Sequence, residues 1–364
     1  MRIYGRGAMS DLLDDMVVYR SLRPADPRLP GLSDIRPGRL PRKGEPAYAL
    51  VVAEILRAAR KHTAPGAEIK RLILVGDTRR SDGGAFDTIC ATTNWRGRAF
   101  ICDEVTEAAP EVRYERGATY ANAWQSLHAF HAALEAEEFL IDTGTVVVLD
   151  IDKTLIGAKG RNHRLIDQAR LRALRTAVAD VLGADFNQAS FEAIYHELDQ
   201  SCYHPLTEDN QDNVAYLCVM VGGSVLGLEE LGRLLAEGHA FRDVLDIVGD
   251  RVLGSAPLLA PFHDEIVRLV FGGDPTPFKV FRQREYAETV ALMGKLPDGA
   301  ADTLLTQEIV ITGEIWELAQ VWAKRGALLF GLSDKPDEAA YPTRTRTEVG
   351  TFPLHRIRTH IIGS

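Results

Sequence analysis

The chain has 364 residues, 46% hydrophobic and 26% charged, with a formal net charge of −9 and a pI near 5.6. That length allows two domains and a sizeable core, and the acidic balance argues against a nucleic-acid-binding surface. No apolar run approaches the roughly 20 residues of a membrane span, and no basic start followed by an apolar core marks a signal peptide. The four cysteines, Cys90, Cys102, Cys202 and Cys218, lack metal-ligand spacing. Three lie in or beside apolar segments, so reduced thiols in a cytoplasmic protein are expected.

Residues 1 to about 45 read as irregular, because SLRPADPRLPGLSDIRPGRLPRKGEP is dense in Pro, Arg and Gly. Ala49, Val52, Ile55, Leu56 and Ala59 then recur at helical spacing, predicting an amphipathic helix over Ala47–Lys61. Leu72–Val75 is a buried strand. Gly76 opens a turn after it, and Asp77 and Asp82 lie in the loop that follows. A further strand is predicted over Ala99–Val105. Tyr120, Trp124, Leu127, Phe130, His131 and Leu134 predict a helix over Thr119–Leu140, with His128 and His131 as packing or surface residues.

Val146–Leu149 is continuously apolar, as in a strand buried on both faces of a parallel sheet. It stops at Asp150 and Asp152, which share a parity with Thr154. Two close carboxylates ending a buried strand need a cation or a reaction to justify their repulsion. From about Gly160 to Lys295 the pattern is helical, in short segments punctuated by Gly and Pro. Glu308–Glu314 then reads as a strand ending on Thr312, followed by a helix over Ile315–Lys324. A strand over Ala327–Leu332 runs into Ser333-Asp334-Lys335-Pro336. The tail, TFPLHRIRTHIIGS, is a candidate edge strand.

Asp150-Ile-Asp152-Lys-Thr154 resembles motif I, DxDxT, of the haloacid dehalogenase-like (HAD) superfamily, and Gly76-Asp77-Thr-Arg-Arg-Ser-Asp82 resembles its motif IV, GDxxxxD. Thr312 resembles the hydroxyl that closes the motif II strand. Lys335, with Pro336, resembles the motif III lysine and is preferred over its rival, Lys43. Motif IV precedes motif I here, the reverse of the usual order. A circular permutation that cuts between the third strand and the motif IV strand accounts for this, because catalysis depends on geometry rather than chain order.

The resemblance implies an α/β fold: a HAD-like Rossmannoid parallel sheet with helices on both faces, plus an α-helical cap domain. Residues 1–157 and 296–364 would form the core and 158–295 the cap. The motif I strand would lie between those leading to Asp77 and Thr312. The implied activity is Mg²⁺-dependent hydrolysis of a small phosphorylated metabolite through an aspartyl-phosphate. Asp150 is the implied nucleophile and Asp152 the acid and base. Asp150, Asp152, Asp77 and Asp82 would serve the Mg²⁺, a hard cation that prefers oxygen, with Asp82 as ligand or water-holder. Thr312 and Lys335 would bind and neutralise the phosphoryl group, and Thr154, Arg161 and Arg164 would meet the substrate. The polar run Tyr203–Asp212 is a further candidate lining. A phosphomutase and a non-catalytic binding module of the same fold are the alternatives. No P-loop or Gly-x-Gly-x-x-Gly turn follows any candidate strand.

Overall fold

The computed structural model describes residues 1–35, 40–105, 108–343 and 352–364. Positions 36–39 of the extended N-terminal segment, and Thr351 at the start of the tail, lie outside the described residues. The strands, in chain order, are β1 (Arg2–Gly7), β2 (Val17–Val18), β3 (Arg71–Gly76), β4 (Arg96–Cys102), β5 (Val112–Glu115), β6 (Ala118–Ala121), β7 (Thr145–Asp150), β8 (Ile311–Thr312), β9 (Leu328–Leu332) and β10 (Thr359–Gly363). Seven form a sheet ordered β2-β9-β7-β3-β4-β6-β5, parallel throughout except for the β5–β6 hairpin. The other three form a small sheet ordered β1-β10-β8.

Strands β2, β9, β7 and β3 of the large sheet are buried on both faces, and the period-two rule divides the sheet's side chains between two cores. Ile73, Val75, Phe100, Val147, Leu149 and Leu329 pack on one side with the helices Ser126–Ala136 and Gly313–Lys324, through Leu127, Phe130, Leu318 and Trp322. Leu72, Leu74, Ala99, Ile101, Val146, Val148 and Phe330 pack on the other with Pro46–Thr63 and Gly84–Thr93, through Val52, Ile55, Leu56 and Ile89. This is an α/β fold around a mostly parallel sheet.

Three expectations need correction. The predicted helix over Thr119–Leu140 shortens to Ser126–Ala136, because Ala118–Ala121 is a strand. Arg116 and Gly117, at φ 49° and 84°, form the two-residue turn of a hairpin whose twist favours positive φ at both positions. The strand expected over Glu308–Glu314 is only Ile311–Thr312, and it belongs to the small sheet. Ile309 and Val310 donate their amides to Leu292 O and Asn162 Oδ1 instead of to a strand. Finally, the N-terminal segment is not wholly irregular: β1 pairs with β10, and β2 forms one end of the large sheet against β9.

The chain divides into two compact units, Met1–Ala169 with Thr289–Ser364, and Arg170–Glu288. The second is helical and has its own core of Leu174, Val178, Phe191, Leu217, Phe241, Val248 and Phe281. Inside it the Arg282 guanidinium joins the buried carboxylates of Asp212 and Glu285, and Arg170 closes the network on Glu285. Asp212 also accepts from the Phe278 amide, and Asn210 and Asn213 bond backbone carbonyls of the same unit. These members of the polar run therefore hold the helices together. Among the described residues no helix is long and apolar enough to cross a membrane.

Candidate functional site

β7 is an interior strand of the large sheet, with β3 on one side and β9 on the other. The chain runs outward from β3 to β4 and β6, then returns past β3 to β7. In open parallel sheets such a reversal leaves a crevice at the carboxyl ends of the strands. Asp150 ends β7, level with Leu332 of β9. Past Asp150 the backbone closes a tight loop: Leu155 donates to Asp150 O, and Lys159 to Lys153 O. Lys153 takes φ 66° within it.

The acids of β3 arrive by an equally local device. Asp82 Oδ2 accepts from the amides of Asp77 and Thr78, folding the segment after β3 back on itself. A Cβ on Gly76 would lie 2.6 Å from the Asp82 side chain, so only glycine fits there. As a result Asp77, Asp82 and Asp150, all buried, each bring a carboxylate oxygen within 4.8 Å of the others.

The buried Lys43 ammonium enters this cluster. Lys43 Nζ donates to Asp150 Oδ1 at 2.8 Å and to Asp82 Oδ1 at 2.9 Å, and stands 3.9 Å from Asp334 Oδ2. Burial alone would lower the Lys43 pKa. The Asp150, Asp82 and Asp334 carboxylates outweigh that and hold it well above its ordinary value. Burial pushes Asp150 well up, with Asp82 and Asp77 adding to the rise and Lys43 opposing it. Burial and the Asp82 carboxylate push Asp77 up to about 6.

Two more lysines flank the cluster. Lys335 Nζ lies 3.3 Å from Asp152 Oδ1. Lys159 Nζ lies 3.6 Å from Asp77 Oδ2 and 3.4 Å from Asp103 Oδ2. The donors suit a hard divalent cation: carboxylate oxygens close together, destabilised by burial and offset by the buried Lys43 ammonium. The buried hydroxyls Thr154 Oγ1 and Tyr48 OH, for which no partner exists among the described residues, are further unused polar atoms.

Of the residues expected from sequence, Asp77, Asp82 and Asp150 come together, with Asp152 and Lys335 paired beside them and Thr154 buried in the loop between. Asp82 is the most engaged, since its oxygens already serve Lys43 and two amides. Thr312 departs from expectation. It is absent from the large sheet, and its hydroxyl donates to the Thr154 carbonyl while its amide donates to Leu155 O, so it braces the loop from behind. The strand beside β7 is β9, and the hydroxyl at its end is Ser333, buried and accepting from the Lys335 amide. Arg161 also departs. Its guanidinium is only 4% exposed and bonds Glu104 and Glu314. Arg164 is an exposed first residue of the helix Arg164–Leu182. Ser333, Lys159 and Asp334 went unnoticed as site residues, although Ser333 closes an apolar strand in the same way as Thr312. No family model, curated protein or solved structure matches the chain.

Proposed function

We propose that the chain is a Mg²⁺-dependent phosphohydrolase of the HAD-like superfamily, with a circularly permuted core, acting on a small phosphorylated metabolite. The observation that carries this reading is the convergence of Asp150 with Asp77 and Asp82, acids from two adjacent parallel strands about 70 residues apart in sequence. On this reading β9, not β8, is the motif II strand, and Ser333 takes the phosphate-binding role expected of Thr312. β2 becomes the third strand, so the permutation cuts between the second and third strands. Lys43, downstream of β2, then takes the role of the motif III lysine. The helical unit Arg170–Glu288 would be the cap and would choose the substrate.

Asp150 and Asp77 would hold Mg²⁺, which would supply charge neutralisation that lets a carboxylate approach an anionic phosphate. The remaining chemistry belongs to the side chains. An Asp150 oxygen attacks phosphorus, and the P–O bond to the leaving group breaks. The leaving oxygen takes a proton from Asp152. Asp152, now a carboxylate beside Lys335, deprotonates the water that hydrolyses the aspartyl-phosphate and regenerates Asp150. Ser333 donates to a phosphoryl oxygen, and Lys43 offsets the charge of Asp150 and the phosphoryl group.

The test is p-nitrophenyl phosphate hydrolysis with Mg²⁺, with EDTA and with Asp150→Asn. Metal-dependent turnover that falls by about three orders of magnitude in the variant is expected. Turnover that survives Asp150→Asn overturns the reading. Absence of turnover in every condition, with saturable phosphate binding, favours the non-catalytic binding module.

A further inference from the structure

Lys159 has no part in the steps above, yet the fold fixes it with unusual care. Its carbonyl accepts from the Trp124 indole at 3.0 Å, and its amide donates to Lys153 O at 2.8 Å. The next residue, Gly160, takes φ 81°. A Cβ there would lie 1.8 Å from the Glu104 carbonyl oxygen, so the loop passes hard against the end of β4. Arg161 follows, bonded to Glu104 and Glu314. Asn162 then bonds Leu305 O, Glu308 O and the Val310 amide. A loop held at four consecutive residues delivers one flexible side chain to one place: its ammonium donates to the Asp77 carbonyl oxygen at 3.4 Å and stands 3.6 Å from Asp77 Oδ2, while the Thr78 hydroxyl donates to Asp77 Oδ1 at 3.0 Å.

An ammonium beside a metal ligand can act in two opposite ways. Its charge repels an incoming cation, whereas its hold on the carboxylate keeps that ligand oriented. Asp103 decides between them. Its carboxylate, 3.4 Å from the same ammonium, cancels most of the charge at longer range. What remains is the short-range contact with Asp77. The two ammoniums also divide the cluster: Lys43 serves Asp82 and Asp150, and Lys159 serves Asp77.

We propose that Lys159 is a positioning residue for Asp77. It holds this carboxylate in the orientation that joins Asp150 around a divalent cation, and so strengthens cation binding. The inference rests on reading the acid cluster as a metal site. Groups behind a first ligand commonly change metal affinity 10- to 100-fold when removed.

The experiment is Mn²⁺ titration of the full chain, with free Mn²⁺ read by electron paramagnetic resonance and Mg²⁺ as competitor. The proteins are wild type, Lys159→Met, Lys159→Arg and Asp150→Asn. We expect the Mn²⁺ Kd to rise about tenfold or more in Lys159→Met and to stay within about threefold of wild type in Lys159→Arg. Unchanged or tighter binding by Lys159→Met overturns the inference, because it makes Lys159 a bystander or a competitor. Equal weakening in both variants overturns it too, since Arg keeps the charge and the donors. If Asp150→Asn weakens binding while Lys159→Met does not, the metal site stands and only the role of Lys159 falls. If wild type shows no saturable binding, both fall.

Discussion

Replacing Lys43 with Met asks whether the acid cluster needs this buried ammonium. Lys43 lies 2.8 Å from Asp150 and 2.9 Å from Asp82, and its side chain is 6% exposed. The substitution keeps the apolar stem and leaves two buried carboxylates without their partner. Removing one member of a buried pair typically costs about 3–5 kcal/mol. The lower end is expected here, because Asp150 can escape by taking a proton. Asp77 at about 6 and the raised Asp150 mean that the folded state binds more protons than the unfolded chain, whose carboxylates titrate near 4. Stability contributed by such groups is greatest at low pH and falls as pH rises through the folded value. Lys43 contributes at any pH below the unfolded lysine value of about 10.4, so it is charged across the whole window. The loss in Lys43→Met should therefore be about 3 kcal/mol near pH 8 and shrink toward pH 5. Mg²⁺ should restore part of it near pH 8. Urea denaturation followed by tryptophan fluorescence is the assay: Trp95, Trp124, Trp316 and Trp322 all lie in the sheet-containing unit. A loss under about 1 kcal/mol near pH 8, the size of an exposed pair, would refute the reasoning. So would an equal loss at both pH values.

The competing hydroxyls make a second prediction: Ser333→Ala should lower kcat/KM for p-nitrophenyl phosphate by about 10- to 100-fold with little change in melting temperature. Thr312→Val should cost about 1 kcal/mol through the lost bond to the Thr154 carbonyl, with a smaller kinetic effect. The opposite ranking in kinetics would return the phosphate role to Thr312. For Arg161→Met the structure predicts a stability effect, since Glu314 is fully buried and loses its cation. About 3–5 kcal/mol should disappear from the urea transition. Unchanged stability with a raised KM would put Arg161 back among substrate contacts.

What could be read from the sequence was whatever short range decides. Gly76-Asp77 and Asp82 are legible because their turn closes on itself through the Asp82 carboxylate, within six residues. Asp150 is legible because a fully apolar strand ends there. Strand neighbours are another matter, since two runs, Ile309–Thr312 and Leu328–Ser333, both end apolar stretches on a hydroxyl. The choice between them is made far away, by the last strand, β10, which pairs with β8 and keeps it in the small sheet. β2, at two residues, is too short to carry any periodicity, yet it forms one end of the large sheet. On the proposed reading, β2 also decides where the chain is cut. Without β2, the Leu328–Leu332 strand takes the third place and Lys335, just beyond it, supplies the lysine. With β2 in the third place, Lys43 falls between that strand and the helix Pro46–Thr63, and the carboxylates it meets are those of Asp82 and Asp150. On the proposed reading, the choice of lysine follows from where the chain was cut, and a two-residue strand decides where that was.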